Sequence, residues 1–326
     1  MTSRPRVRLV LAAALAPILV AGALATTAFA HTTDTAPPPN PVVATSDSTA
    51  TVGEYQTTLA GDPATVYHPA DAADRRHPVA LLLQGANVSR ANYARYARAT
   101  ASYGFIVVVP DHSRLVFGVP MLFAEEKQVT DAAAWMTVED TRAGSPVAGH
   151  VDTANLVLLG HSAGGAAGLY AVEGTCMPPF CLVPPYTRPA QLRAAALFGT
   201  NSAVPGVPGA DPIETAGVPV ALLQGSLDTR ATPTAAQATY DALTGGPKTL
   251  ITVLGANHYG ITDTANPVGA QPDPSVPTLD RQQSIATIAR WSAMWLRAQL
   301  GDVAARFYVR FVGPHVDANV LVQRAD

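Results

Sequence analysis

A chain of 326 residues, 48% hydrophobic and 14% charged, can bury a large core, which excludes a disordered chain and a charged coiled coil. The formal charge of −3 excludes a basic nucleic-acid surface, so polyanions are poor partners. Length leaves one or two domains open.

At the N-terminus, Arg4, Arg6 and Arg8 precede an apolar run from Leu9 to Ala25, and Ala28-Phe29-Ala30 supplies the small-x-small pattern of a cleavage site. The pattern predicts a signal peptide over 1–30, cleaved after Ala30, and hence secretion. The run is short for a span of roughly 20 residues and is broken by Pro17, so no membrane span is expected after cleavage. Loss of the three arginines leaves 18 positive residues against 24 acids, a charge of −6. Residues 31–50, with Pro37-Pro38-Pro39-Asn40-Pro41 followed by Ala, Thr and Ser, read as an extended spacer, which leaves 51–326 as the folded domain. Cys176 and Cys181 flank Pro178-Pro179, and in a secreted chain this C-x4-C pair predicts a small disulfide loop. No His, Asp or Glu lies between Glu173 and Cys181, so a metal site there is not expected.

Beyond the spacer, strand-length apolar runs alternate with helix-length segments: Val79–Leu83, Ser89–Tyr103, Phe105–Val109, Glu125–Trp135 and Leu156–Leu159. The rhythm continues through Ala194–Phe198, Val218–Leu223, Thr234–Leu243, Thr249–Leu254 and a helix from about Asp280 to Leu300. This alternation predicts an α/β fold with a mostly parallel central sheet and helices on both faces. Ser89 is a plausible N-cap and Gly104 a plausible C′ residue of the first helix. Ile285, Ile288, Ser292 and Trp295 put an apolar stripe on the last helix, read as packing on the sheet. Met177–Pro189 reads as a proline-rich surface loop near the site. In the tail, an extra strand is suggested at Phe307–Val312.

Gly160-His161-Ser162-Ala163-Gly164 fits G-x-S-x-G, a pattern that chance supplies roughly 0.1 times in a chain of this Gly and Ser content. Its setting carries more weight. It follows the run Asn155–Leu159 and precedes the small-residue segment Ala163–Val172, the strand-turn-helix context of a nucleophile elbow. A serine alcohol is a poor nucleophile at neutral pH and needs a histidine base with an acid to orient it, in the chain order Ser, acid, His. Asp228 follows Val220–Leu223 through Gln224-Gly225-Ser226, and His258 follows Leu250–Leu254, so both stand past strand ends where ligand sites of parallel sheets gather. His31, His68, His77, His112, His150 and His161 all precede Ser162, leaving His258 and the tail residue His315. The catalytic candidates are therefore Ser162, Asp228 and His258. An oxyanion needs two aimed amides, for which Ala163 and Ala86, in the loop Gln84-Gly85-Ala86-Asn87, are the candidates.

At these residues the chain resembles the α/β-hydrolase superfamily, specifically the secreted branch of chlorophyllase-like, dienelactone-hydrolase-like and cutinase-type esterases. The resemblance covers roughly Tyr55 to Leu300. It rests on Leu83–Ala86, Tyr103–Asp111, the Gly160–Gly165 elbow, Gly225-Ser226-Leu227-Asp228 and Gly255-Ala256-Asn257-His258. It implies a carboxylesterase or lipase-like serine hydrolase that cleaves small-molecule or lipid-like esters through an acyl-enzyme, without a cofactor. Polyester-degrading members clamp an aromatic ring with aromatic residues where this chain has Ala86 and Phe198–Asn201, and they often have methionine where it has Ala163, which argues against polyester hydrolysis. Trp135 and Tyr259 remain candidates to line the cleft. A serine peptidase or acyltransferase on the same fold, and a binding protein without turnover, are the alternative readings.

Weaker signals have plainer readings. Asp111-His112 reads as a hydrogen-bonded turn. Asp263, Asp273 and Asp280 lack the spacing of a calcium loop and read as solvated loop acids. Asn87-Val88-Ser89 matches a glycosylation pattern. Glu125-Glu126-Lys127 reads as an exposed first helical turn.

Overall fold

The computed structural model describes residues 51–70, 75–116, 118–183, 185–203 and 209–325. The expected signal peptide, its cleavage after Ala30 and the spacer lie outside the described residues.

The apolar runs become the strands of one sheet. In chain order its members are β1 (Val52–Leu59), β2 (Asp62–Pro69), β3 (His77–Leu83), β4 (Ile106–Pro110), then β7 (Val151–His161), β8 (Leu192–Phe198), β10 (Val220–Gly225), β12 (Lys248–Val253) and β13 (Val320–Ala325). Two short ladders stand apart: the hairpin β5 (Ser113–Val116) with β6 (Val119–Leu122), and β9 (Ile213–Glu214) with β11 (Leu243–Thr244). The nine sheet strands lie in the order β1-β2-β4-β3-β7-β8-β10-β12-β13. The six from β4 to β12 run parallel, while β1, β2 and β13 are antiparallel additions at the edges.

Central strands buried on both sides carry continuous apolar runs, and their side chains alternate between faces with period two. Ala80, Leu82, Val157, Leu159, Ala194 and Ala196 join one core, with α1 (Ala94–Ala101) and α5 (Arg281–Gln299). Val79, Leu81, Leu156, Leu158, Ala195 and Leu197 join the other, with α2 (Lys127–Thr141), α3 (Ala163–Glu173) and α4 (Pro233–Ala242). Helices therefore cover both faces of a mostly parallel sheet, the α/β-hydrolase architecture expected. The stripe Ile285, Ile288, Ser292 and Trp295 is buried against the sheet, and the Asp280 side chain caps the start of α5 by accepting from Gln283 N.

Four expectations change. Phe307–Val312 is helical: α6 (Val303–Phe307) runs into a π-helical turn over Tyr308–Val312 and then α7 (Gly313–Val316), and the extra strand is β13. The helix wins because Ala305, Tyr308 and Val309 bury on one side while Arg306, Phe307, Arg310 and Phe311 face solvent, a helical period. Ser89 occupies the cap position without capping, since its hydroxyl accepts from Asn92 Nδ2 instead. Glu125-Glu126-Lys127 is not an exposed turn. Glu126 is 0% exposed beneath the loop that follows α3, where its amide donates to Phe180 O and its carboxylate accepts from Met177 N. Finally, Asp273 is buried rather than solvated.

Candidate active site

Parallel strands deliver their C-terminal ends to one side of the sheet, and the loops that follow β3, β7, β10 and β12 carry Ala86, Ser162, Asp228 and His258. Ser162 sits between β7 and α3 at φ 54°, ψ −122°. A side-chain-bearing residue at positive φ is strained, and the turn holds it because α3 begins at the next residue and packs closely on the sheet. A Cβ on Gly164 would fall 2.1 Å from Leu83 O, so only glycine lets the helix start come this near the end of β3.

Ser162 Oγ lies 2.9 Å from His258 Nε2, and His258 Nδ1 lies 2.8 Å from Asp228 Oδ2. Asp228 is buried, and its other oxygen accepts the Arg230 and Ala231 amides at 2.8 Å each, so the carboxyl group is fixed in position. Gly199, at φ 58°, gives room for the pair: a Cβ there would lie 3.1 Å from Asp228 Oδ2 and 3.3 Å from His258 Nδ1. The structure thus brings the three expected residues into one chain of hydrogen bonds. The Ala86 and Ala163 amides, among the described residues, have no hydrogen-bond partner, whereas the neighbouring Gly85 amide donates to the Tyr93 hydroxyl at 2.9 Å.

Two supporting groups escaped the sequence reading. His161 is fully buried, with Nε2 3.0 Å from His258 O and Nδ1 2.9 Å from the Tyr93 hydroxyl. Burial, reinforced by nearby His258, holds its pKa well below the ordinary histidine value, so the ring is neutral. A neutral ring has one donor. With Nε2–H donating to the His258 carbonyl, Nδ1 accepts from Tyr93, whose oxygen accepts in turn from Gly85. The second group is Asp273, which accepts from His258 N at 2.9 Å, Thr229 Oγ1 at 2.6 Å and Ser275 N at 3.0 Å. Burial raises its pKa, but these hydrogen bonds outweigh burial and leave it below the ordinary value, so it is a carboxylate that ties the His258 loop to the Asp228 loop.

The other acids and histidines serve the framework. Asp263 accepts weakly from the Arg95 amide, and Asp111 pairs with Arg90. His112 bridges Asp62 at 2.7 Å and Glu125 at 3.0 Å while its backbone pairs with the Gln84 side chain. The Asn87 side chain is occupied by Leu122 N.

A cleft of about 260 Å³ opens at Ser162 and His258, walled by Ala163, Ala166, Tyr170, Phe180, Asn201 and Arg230. Trp135 and Tyr259 are not on its wall: Trp135 is buried under the sheet, and Tyr259 packs edge-on against His258 with its hydroxyl on Gln271 O. The aromatics in the cleft are Tyr170 of α3 and Phe180, whose rings stack at 5.8 Å. Phe180 is held there by the Cys176–Cys181 disulfide loop, which the structure contains as expected.

Residues 42–175 match the chlorophyllase family model. No curated protein matches the chain. The match to the chlorophyllase family, which has the α/β-hydrolase fold, agrees with the resemblance read from the motifs and supports a hydrolase on this fold. It covers the Ala86 loop and the Ser162 elbow but ends before Cys176, so Asp228 and His258 stand on their chain order and on the geometry of the site. Among the described residues, no helix is long and apolar enough to cross a membrane.

Proposed function

We propose that the protein is a secreted serine hydrolase that cleaves carboxylic esters of small-molecule or lipid-like substrates through an acyl-enzyme, within one catalytic domain over 51–326. The observation that carries this reading is the hydrogen-bonded series Ser162, His258, Asp228 at 2.9 and 2.8 Å, at the end of a parallel sheet and beside a cleft. His258 Nε2 takes the proton as Ser162 Oγ attacks the acyl carbonyl, then gives it to the departing alcohol. Asp228 keeps the imidazole in the tautomer with Nδ1–H and stabilises the imidazolium. The Ala86 and Ala163 amides receive the oxyanion, each contributing about 3 kcal/mol to the transition state. Water then attacks the acyl-enzyme with His258 as base, and no cofactor enters. The disulfide and the lack of a spanning helix among the described residues are compatible with export.

A cleft of about 260 Å³ lies just below the usual range for small-molecule sites of roughly 300–1,000 Å³, which favours short acyl chains. Across p-nitrophenyl esters from acetate to palmitate, kcat/KM is expected to peak at the short end, and a steady rise toward palmitate would count against this cleft as the acyl site. A fluorophosphonate probe is expected to label the wild type at Ser162. Absence of labelling would favour a binding protein on the same fold. Faster cleavage of an amide than of the matching ester would favour a peptidase, and transfer to added alcohol in preference to water an acyltransferase.

A further inference from the structure

The tail elements enclose a second cavity, remote from the cleft. It has a volume of about 400 Å³ and lies between α5, β12, β13 and the helical segment after α5. Lys248 opens β12 and lines this cavity, whereas His258 follows the other end of the same strand. From Lys248 to the far end of β12 is roughly 17 Å.

The lining has two chemistries. Ile251, Trp295, Val309 and Val322 give it an apolar floor. Its rim carries Arg306 and Arg324, and among the described residues neither has a carboxylate within ion-pair distance, whereas the Lys248 ammonium turns to the opposite face of the sheet, over the Tyr240 ring. Arg324 donates to the Val309 and Arg310 carbonyls, so its positive charge is positioned at the rim with no ion pair among the described residues. Arg306, one turn along the helix, is exposed. Beside the rim, Phe307 and Phe311 are 57% and 58% exposed, with ring centroids 5.4 Å apart. Large aromatics held in water next to arginines suit the boundary between an anionic headgroup layer and its acyl chains.

We propose that this cavity binds a single-chain anionic amphiphile, with the acyl chain over the Trp295 floor and the carboxylate at Arg306 and Arg324. A neutral apolar molecule would use the floor but leave Arg306 and Arg324 without a counter-charge. A small anion would use the rim alone. Only an occupant with both parts answers the whole lining, and its volume falls in the range of small-molecule sites.

The test titrates the full chain with dodecanoate below its micelle concentration, followed by tryptophan fluorescence and calorimetry, with dodecyl maltoside as the neutral-headed probe of equal chain length. Saturable one-to-one binding of dodecanoate is expected, at least about tenfold tighter than the maltoside. Arg306→Glu should weaken dodecanoate binding at least about fivefold, with circular dichroism verifying the fold, and raising ionic strength should weaken binding to the wild type. Equal affinity for the two probes, or a dodecanoate affinity unchanged by Arg306→Glu and by salt, would overturn the proposal, because binding would then reside in the catalytic cleft or in nonspecific apolar contact.

Discussion

The Tyr93 hydroxyl stands between the loop that carries Ala86 and the strand that carries Ser162, accepting from Gly85 N and donating to His161 Nδ1. Tyr93→Phe leaves a buried amide and a buried ring nitrogen without partners, at a cost of about 1–3 kcal/mol. If the proposed chemistry holds, kcat falls at least about tenfold with little change in KM, because the change misplaces donors without touching substrate. Steady-state kinetics on p-nitrophenyl butyrate and a thermal melt measure both effects. Ser162, Asp228 and His258 were legible in the sequence because a nucleophile elbow has a motif and its partners come in a fixed chain order after strand ends. His161 was legible only as a histidine that precedes the serine and so fails that order. Its role depends on a tautomer set by Tyr93 and the His258 carbonyl, partners 68 and 97 residues away. Asp273 escaped for a similar reason, since nothing in a proline-rich loop announces that one carboxylate will accept from both the Asp228 and the His258 loops.

Among the elements, the junction of β7 and α3 tolerates least. Gly164→Ala places a methyl group against the backbone of Leu83 and Gln84, which cannot swing aside as a side chain can. The variant is expected to lose several kcal/mol of stability or fail to accumulate as folded protein, and a chemical-denaturation midpoint equal to the wild type would refute this close approach. Replacing Cys176 and Cys181 together by alanine should cost about 2 kcal/mol, the chain-entropy value for so short a loop, and should also loosen Phe180 at the cleft. Denaturant midpoints read the first effect and a shift of the optimal acyl chain toward longer esters the second. Central strands and major helices were legible because burial on both faces leaves uninterrupted apolar runs. The edges were not. In β1, Glu54, Gln56 and Thr58 face water, β2 begins and ends beside prolines, and β13 is largely exposed, so none has the signature of a buried strand.

Across the whole molecule, Glu126 ties the disulfide loop to α2 and makes stability depend on pH. Burial, which dominates, raises its pKa from 4.5 to about 8, and one carboxyl oxygen has no hydrogen-bond partner. The folded chain therefore holds this proton more tightly than the unfolded chain. Stability from this group is greatest below about pH 4.5, falls as pH rises toward 8, and is level above that. Glu126→Gln keeps an oxygen for Met177 N and removes the ionisation, so the Tm of the wild type should fall relative to the variant between about pH 5 and pH 8. Parallel Tm profiles would contradict the buried, protonated carboxyl. His112 adds the same sign: burial lowers its pKa, but the bonds to Glu125 and Asp62 more than reverse this, so its contribution is full below the unfolded value and is lost as pH rises through the folded one.

The most direct measurement is hydrolysis of p-nitrophenyl butyrate by the protein from His31 onward beside its Ser162→Ala variant at equal concentration. The acyl-enzyme mechanism predicts turnover by the first and a loss of at least about 1,000-fold in kcat/KM for the second, with both chains melting cooperatively. Ester cleavage that survives Ser162→Ala at the wild-type rate would contradict it.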